Sequence, residues 1–336
     1  MCALVTPQTN TTLEEIAAAL REHDNYVIAG HMSPDGDCLG SQLALMWALR
    51  SIGKQAQCVF EADVHSVPLA LQFLPGIEEF VPARDVASAS SFVALDVPSY
   101  ERMGKHPARL HASASFTVTI DHHAYPERIS QLSYVDPAAA STTTLVWRLA
   151  QCLGAETAPH VASCAYTGLV TDTGRFQFQN ADAAAFRAAA EMVEAGADVA
   201  FIATQIYQNR SLASIQLENI AAEHMELLLD GRLAFSWVSL ADFARCGASK
   251  PDADALIEML RSISGVRVAC LLRETEESVR GSLRAKDNTN VATFAAQHNG
   301  GGHDAAAGMT VFAELSQAIE TIREELSGYC LRVWGE

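Results

Sequence analysis

Short apolar runs alternate with helical patterns through the first part of the chain. Residues 26–30 form a buried-strand pattern, and residues 39–52 place apolar side chains near helical spacing. Further strand patterns cover residues 57–60, 91–95 and 116–120, and further helical patterns cover residues 12–22, 141–153, 159–170 and 182–195. Because helices separate successive strands, the pattern predicts an α/β fold with a doubly wound, mostly parallel sheet.

The pattern changes after residue 195. Residues 196–230 are helical with no new strand and predict a connector. The apolar helices around residues 182–229 could support a homodimer. Beyond it, strand patterns cover residues 232–238, 266–272 and 278–285, the last two as antiparallel partners, and a helical pattern covers residues 251–263. We therefore predict three parts: a domain of residues 1–195, a helical connector of residues 196–230, and a smaller α/β domain of residues 231–336.

The composition allows a large core but disfavours long polyanions as ligands. Of the 336 residues, 49% are hydrophobic and 19% are charged, so global disorder is not expected. The formal net charge of -17 argues against binding of long DNA or RNA, because that affinity comes largely from Lys and Arg on phosphates. A site holding divalent cations can still attract a small phosphorylated ligand.

The chain shows no pattern of export or membrane insertion. No apolar stretch reaches the length of a membrane span, and residues 1–7 lack the basic start and hydrophobic core of a secretion signal. Eight cysteines without a C-x-x-C pair indicate reduced thiols. We therefore expect a cytoplasmic protein with no membrane partner.

Acidic and imidazole side chains recur where the predicted strands and helices end. The candidates are His31, Asp35, Asp37, Asp96, His122 and Asp172. Four carboxylates and two imidazoles can hold two divalent cations if one carboxylate bridges them, and this donor set suits Mn²⁺, with Mg²⁺ or Co²⁺ as possible substitutes. Such a pair supports attack of a metal-bound hydroxide on phosphorus, and so phosphoester hydrolysis. The alternative for residues 31–41 is a polar loop with an Asp-Gly turn.

A second group of candidates lies in the C-terminal domain. Arg280, Ser282, Arg284 and Lys286 have one parity along a predicted strand, so three cations share one face. The run Gly300, Gly301, Gly302 precedes His303, and its free backbone N–H groups could line a phosphate site. The alternatives are a solvated strand face and a flexible loop. Together the two features favour a phosphate grip.

These motifs resemble those of a known family. The run His31-x-x-Pro34-Asp35-x-Asp37-x-x-Gly40-Ser41, then Asp96, Asp121-His122-His123 and Thr171-Asp172-Thr173-Gly174, looks like the four motifs of the DHH phosphoesterases. The runs Arg280-Gly-Ser-Leu-Arg284 and Gly300-Gly-Gly-His303-x-x-Ala306-Ala307-Gly308 look like the DHHA1 domain. Chain length is closest to the nano-RNase and pAp-phosphatase branch. Cys38 stands where a small residue such as alanine is common.

The resemblance implies a two-metal hydrolase with a role for each candidate. It implies that His31 and Asp35 hold one cation, that Asp37, His122 and Asp172 hold the other, and that Asp96 bridges them. The implied catalytic residues are His123, facing the scissile phosphate, and Asp121, orienting a ligand. The implied substrate-binding residues are Arg284, Gly300, Gly301, Gly302 and His303.

The resemblance also implies a substrate class. The expected substrates are short oligoribonucleotides, dinucleotides, or 3′-phosphoadenosine 5′-phosphate (pAp), which would lose its 3′-phosphate. A phosphodiesterase for cyclic or linear dinucleotides would use the same metals and remains an alternative. An inorganic pyrophosphatase shares the four metal motifs, although the glycine run favours a nucleotide. A nonhydrolytic nucleotide sensor with the same fold is the alternative outside enzymes.

Overall fold

The computed structural model describes residues 6–61 and 67–335. Residues 1–5, part of the segment expected to lack a secretion signal, lie outside this range. The chain divides into two compact units, Met1–Asn209 and Arg210–Glu336. Among the described helices, none has the length and apolar character needed to span a bilayer. The seven cysteines within the described residues are free thiols, as predicted.

The first unit is built on a parallel sheet. Its strands are β1 (Tyr26–Ala29), β2 (Ala56–Phe60), β3 (Val81–Pro82), β4 (Ser91–Leu95), β5 (Phe116–Asp121) and β6 (Leu132–Val135). Its helices are α1 (Leu13–Glu22), α2 (Gly36–Ser51), α3 (Tyr100–Met103), α4 (Lys105–Ser113), α5 (Thr142–Leu153), α6 (Pro159–Asp172), α7 (Ala183–Glu194) and α8 (Val199–Tyr207). The described strands run in the order β3-β2-β1-β4-β5-β6, and each described pairing is parallel.

Strand β1 shows why helices cover both faces of this sheet. All four of its residues are buried. Tyr26 and Ile28 pack into the core formed with α1, α2, α5 and α6, whereas Val27 and Ala29 pack into a second core with Leu110 of α4. Because successive side chains of a strand point to opposite faces, both faces need a layer of helices. The predicted doubly wound, mostly parallel α/β fold is confirmed.

The strand order places a crevice beside β1. The chain proceeds from β1 to β2 and β3 on one side, then crosses to β4 and continues to β5 and β6 on the other. The connections that follow β1 and β4 therefore leave in opposite directions. Open α/β sheets bind their ligands at such a switch point, beyond the carboxyl ends of the strands.

The second unit is smaller and mostly antiparallel. Its strands are β7 (Glu226–Leu228), β8 (Leu233–Val238), β9 (Val268–Glu274), β10 (Val279–Ala285), β11 (Gly301–His303) and β12 (Ala306–Val311). Its helices are α9 (Leu212–Glu223), α10 (Leu240–Cys246), α11 (Leu256–Ser262), α12 (Val291–Ala296) and α13 (Leu315–Trp334). The described order is β11-β12-β10-β9-β8-β7, and β8 and β9 form its parallel pair. The predicted antiparallel pairing of β9 with β10 is confirmed.

Two local predictions were wrong. The connector contains a strand, because β7 pairs with β8 across a tight turn in which Leu229 and Asp230 both have positive φ. The helix expected over residues 251–263 is divided into a 3-10 turn, Lys250–Ala253, and α11. The helical pattern of residues 39–52 is present as α2, which begins earlier, at Gly36, because the Asp35 carboxylate caps it. The three-part division at residues 195 and 230 stays a prediction.

Candidate metal centre

The switch point of the first sheet gathers most of the predicted ligands. His31 follows β1, Asp96 directly follows β4, and His122 directly follows β5. Asp37 lies in the first turn of α2, and Asp172 is the last residue of α6. Each of these residues therefore lies at one end of a helix or within two residues of the end of a strand.

The first cluster forms around His31. Its Nε2 lies 3.8 Å from Asp35 Oδ2 and 3.4 Å from Asp96 Oδ2. The side chains of His31 and Asp96 are 6% and 2% exposed, whereas that of Asp35 is 62% exposed. The cluster is thus buried on the sheet side and open to solvent at Asp35.

The second cluster forms around His122. Its Nε2 lies 3.8 Å from Asp37 Oδ2, 3.8 Å from Asp172 Oδ2 and 3.7 Å from Asp96 Oδ1. Asp96 therefore presents Oδ2 to the first cluster and Oδ1 to the second. Its backbone is left-handed, with φ of 55°, a conformation that aspartate tolerates better than most residues.

The donor atoms of both clusters fit divalent cations. The distances from each imidazole nitrogen to the carboxylate oxygens, 3.4 to 3.8 Å, exceed the roughly 2.7–3.2 Å of an N–H···O hydrogen bond. Donors bound to one small divalent ion lie about 3–4 Å from each other, given metal–oxygen distances near 2.1 Å. The charge balance also favours a cation, because burial and the nearby Asp96 and Asp172 carboxylates raise the pKa of Asp37 well above its ordinary value. Burial likewise raises the pKa of Asp172 to about 7.

His123 lies beside this centre and is oriented by Asp121. Its Nδ1 is 2.8 Å from Asp121 Oδ1 and 3.3 Å from Asp96 Oδ1, and its backbone N–H also donates to Asp121 Oδ1. Burial opposes protonation of the ring, but hydrogen bonds to Asp121 and Asp96 outweigh it and raise the pKa of His123 to about 11. Burial alone would raise the pKa of Asp96, but its contacts with His123 and His31 hold that pKa well below its usual range.

The amino end of α5 supports the carboxylates, a role that the sequence pattern did not predict. The backbone N–H groups of Thr142 and Thr143 donate to Asp37 Oδ2 and Oδ1 at 2.7 and 2.8 Å. The Thr142 hydroxyl donates to Asp96 Oδ1 at 3.0 Å. Such contacts orient metal ligands. The sequence did contain a signal for this contact. Ser141 and the three threonines after it predict a helix start, and the free N–H groups of a helix start can bind carboxylates.

Two more contacts were not foreseen. Asn180 Nδ2 donates to the backbone oxygen of Asp172 at 3.2 Å and lies 3.4 Å from its carboxylate. The buried Cys38 thiol lies in one group with His31 and Asp96, their candidate ligand atoms all within 4.8 Å of one another. The cysteine at position 38, where alanine is common in the family, therefore lies within the first cluster.

In the second unit, two of the predicted substrate residues, Arg284 and His303, share one face of the sheet. Arg284 of β10 pairs with Ala306 of β12, which pairs with His303 of β11. Residues directly opposite each other in a sheet point to the same side, so Arg284 and His303 flank the small Ala306. Arg284 also forms an ion pair with Glu258 at 2.9 Å. The strand alternation predicted for residues 278–285 is present, with Arg280 exposed and Val279 buried.

Gly301 and Gly302 belong to the edge strand β11 and Gly300 directly precedes it, so the run is not a flexible loop, and its members differ. A Cβ on Gly300 would lie 2.1 Å from the Gly308 oxygen, and one on Gly302, where φ is 142°, would lie 2.5 Å from the Ala306 oxygen. Packing therefore requires both glycines. A Cβ on Gly301 would meet nothing within 4 Å, so internal packing does not explain the absence of a side chain there.

Known proteins resemble the chain over both units. Family models match residues 25–169 (DHH family, N-terminal domain) and residues 233–330 (DHHA1 domain). The bifunctional oligoribonuclease and PAP phosphatase NrnA of Thermus thermophilus is 32% identical over 89% of this chain and 90% of its own. The protein of that name from Bacillus subtilis is 24% identical over 89% of this chain and 93% of its own. The crystal structure of an exopolyphosphatase-related protein from Bacteroides fragilis has a TM-score of 0.87 at 26% identity, covering 94% of this chain and 96% of the other.

Proposed function

The chain belongs to the DHH family and carries a DHHA1 domain, and from this premise we propose that it is a two-metal phosphohydrolase acting on short oligoribonucleotides and on pAp. The observation that carries the proposal is the position of Asp96, whose two oxygens face two separate imidazole-containing clusters. A carboxylate shared between two cation sites would hold the two ions close together, which is the arrangement that two-metal phosphoryl chemistry uses.

The proposed ligands divide into two sets. His31 and Asp35 would hold one cation, Asp37, His122 and Asp172 would hold the other, and Asp96 would bridge them. Oxygen and imidazole donors favour Mn²⁺, with Mg²⁺ or Co²⁺ as substitutes. When bound, the cations would lower the pKa of a water and neutralise charge on the phosphoryl oxygens. The threonines at the start of α5 keep the Asp37 and Asp96 carboxylates oriented toward this position.

His123 is the proposed acid. Asp121 fixes its ring through Nδ1, and the Asp121 and Asp96 carboxylates beside the ring favour its protonated form. A protonated imidazole can stabilise negative charge on the phosphate or give a proton to the leaving oxygen. Asp121 therefore acts through His123, by holding its orientation and its charge.

The second unit supplies the proposed recognition of the substrate. Arg284 and His303 lie in one row across the sheet, and bare backbone at Gly301 leaves room for close approach of a ligand. An arginine beside exposed backbone suits a terminal phosphate or a nucleotide. The names of the relatives, oligoribonuclease and PAP phosphatase, support a nucleotide over pyrophosphate.

Product analysis tests the proposal. The purified chain would be incubated with Mn²⁺ and, in parallel, with pAp, a dinucleotide, a five-nucleotide RNA, a cyclic dinucleotide and pyrophosphate, and the products separated by chromatography. We expect mononucleotides from the short RNA and the dinucleotide, and phosphate from pAp. Addition of a chelator should stop each reaction, and restored Mn²⁺ should restart it.

The other outcomes separate the alternatives. Exclusive turnover of the cyclic dinucleotide or of pyrophosphate would keep the metal centre and overturn the substrate assignment. Tight binding of a nucleotide without any product would favour the nonhydrolytic sensor.

A further inference from the structure

The second unit contains a cavity that the proposed catalytic and recognition residues do not use. It lies where β9 ends, β10 begins and α10 packs beside them, and its volume is about 420 Å³. Small-molecule sites typically measure roughly 300–1,000 Å³. Size alone therefore permits a ligand as large as a nucleotide base.

The wall of the cavity combines an aromatic ring with cations. Leu240, Phe243 and Ala248 supply an apolar lining, and Phe243 is only partly buried. Three cations, Lys250, Arg273 and Arg280, line it with two carboxylates, Glu274 and Glu276. In a chain of formal net charge -17, three cations around one cavity are a local concentration, and a cation that the protein does not pair can bind an anionic group.

The charges of the lining are not equally available. Arg273 is paired with Asp254 at 2.9 Å, and Glu274 accepts a hydrogen bond from the backbone of Leu240 at 2.8 Å. Arg280 is exposed and donates to the Thr310 hydroxyl at 2.8 Å. Among the described residues no carboxylate pairs with Arg280, so its charge is not neutralised within the unit.

Arg280 also links the cavity to the proposed recognition face. It lies on β10 with the same parity as Ser282 and Arg284, so the three side chains share one side of the sheet. At about 3.4 Å per residue, the two arginines lie about 14 Å apart along the strand. Sites for single-stranded nucleic acid combine such a row of cations, which follows the backbone, with aromatic surfaces on which bases stack.

We propose that this cavity, which we call the Phe243 pocket, is a second nucleotide subsite. It takes the base of a further nucleotide of a short RNA against Phe243 and Leu240, while Arg280 binds the adjoining phosphate. The inference rests on the proposed function, because it assumes that Arg284 holds another part of the same substrate. A ligand such as pAp, which has no further nucleotide, does not reach the pocket.

The test compares two substrates on the Mn²⁺-loaded enzyme. Phe243→Leu keeps the apolar volume and removes the aromatic face, and Arg280→Gln removes the charge without disturbing the core. For each we expect KM for a five-nucleotide RNA to rise roughly tenfold, as for loss of one base–aromatic stack or phosphate contact, and KM for pAp to stay unchanged. Arg245→Gln, an exposed arginine of α10 outside the lining, is the matched control and should change neither constant.

Three results would overturn the inference. An unchanged KM for the RNA in both variants excludes the pocket from binding. An equal rise of KM for RNA and pAp places the effect at the common site instead. If the unmodified enzyme turns over neither substrate, the proposed function fails and the subsite, which assumes that function, is rejected with it. A failure of the subsite alone is distinguishable, because the unmodified enzyme then turns over both substrates.

Discussion

The metal centre of the first unit and the recognition face of the second differ in how their polar groups are held. Asp37, Asp96 and Asp121 are at most 2% exposed, and each carboxylate has fixed partners. Arg284 and His303 stand on a sheet face with a partly exposed or exposed surface around them. Burial strengthens electrostatic interactions and penalises any unpaired charge.

This difference indicates that the first region supports catalysis and the second supports substrate binding. A centre of buried, mutually repelling carboxylates needs every member, so single changes there should affect metal binding and kcat. An exposed face shares its binding energy among several groups that also contact water, so single changes there should mainly raise KM. Substitutions in the two regions test this difference.

Asp96→Asn should have the largest effect. Asparagine keeps the shape and tolerates the left-handed backbone, but it removes the charge shared by the two clusters. We expect kcat to fall at least about a thousandfold, the equivalent of several kcal/mol of lost transition-state stabilisation. Metal analysis of the desalted protein should show less than the wild-type content of manganese. A wild-type metal content with undiminished turnover would remove Asp96 from the centre.

Arg284→Gln should weaken binding instead. Loss of one charged hydrogen bond costs about 1.5–3 kcal/mol, so KM for pAp and short RNA should rise roughly tenfold to a hundredfold, with kcat little changed. Arg323→Gln is the matched control, because it removes another arginine of the same unit, paired with Glu226 at 3.1 Å. A fall in kcat at constant KM would break the comparison between the two regions.

Thr142→Val should have a smaller effect on the metal centre. Valine keeps the volume and the backbone N–H that serves Asp37, and it removes only the hydroxyl that donates to Asp96. We expect about a tenfold loss of Mn²⁺ affinity in calorimetric titration of the metal-depleted protein. In the control Thr144→Val, the lost hydroxyl donates only to the Ser141 backbone oxygen at 2.7 Å. Equal losses in both variants would assign the effect to helix stability.

Substitutions in the glycine run should give the smallest and most selective effects. Gly302→Ala places a Cβ against the Ala306 oxygen at a positive φ, so Tm should fall by roughly 4 °C. Gly301→Ala meets open space and should leave Tm unchanged, while KM rises slightly because the methyl group occupies the surface offered to substrate. An unchanged KM in Gly301→Ala would exclude close approach of the substrate there.

Much of this protein was predictable from local sequence. Strand patterns that end directly in acids or imidazoles, as at Asp96 and His122, predicted both the parallel sheet and the edge at which the ligands meet. The alternation of β10 likewise predicted which arginines share a face. These predictions succeeded because a side chain's direction follows from its position within one element.

Other features depended on partners distant in the chain. Strand β7 exists because β8 pairs with it, and the contacts of Asp37 with α5 join residues 105 and 106 positions apart. Packing requires glycine at position 302 but not at position 301, and this difference likewise depends on which backbone atoms lie opposite each residue. The sequence by itself thus determined the elements and the ligand types. Only the tertiary structure decided the supporting contacts, because hydrogen bonds and close packing between remote segments leave no periodic pattern along the chain.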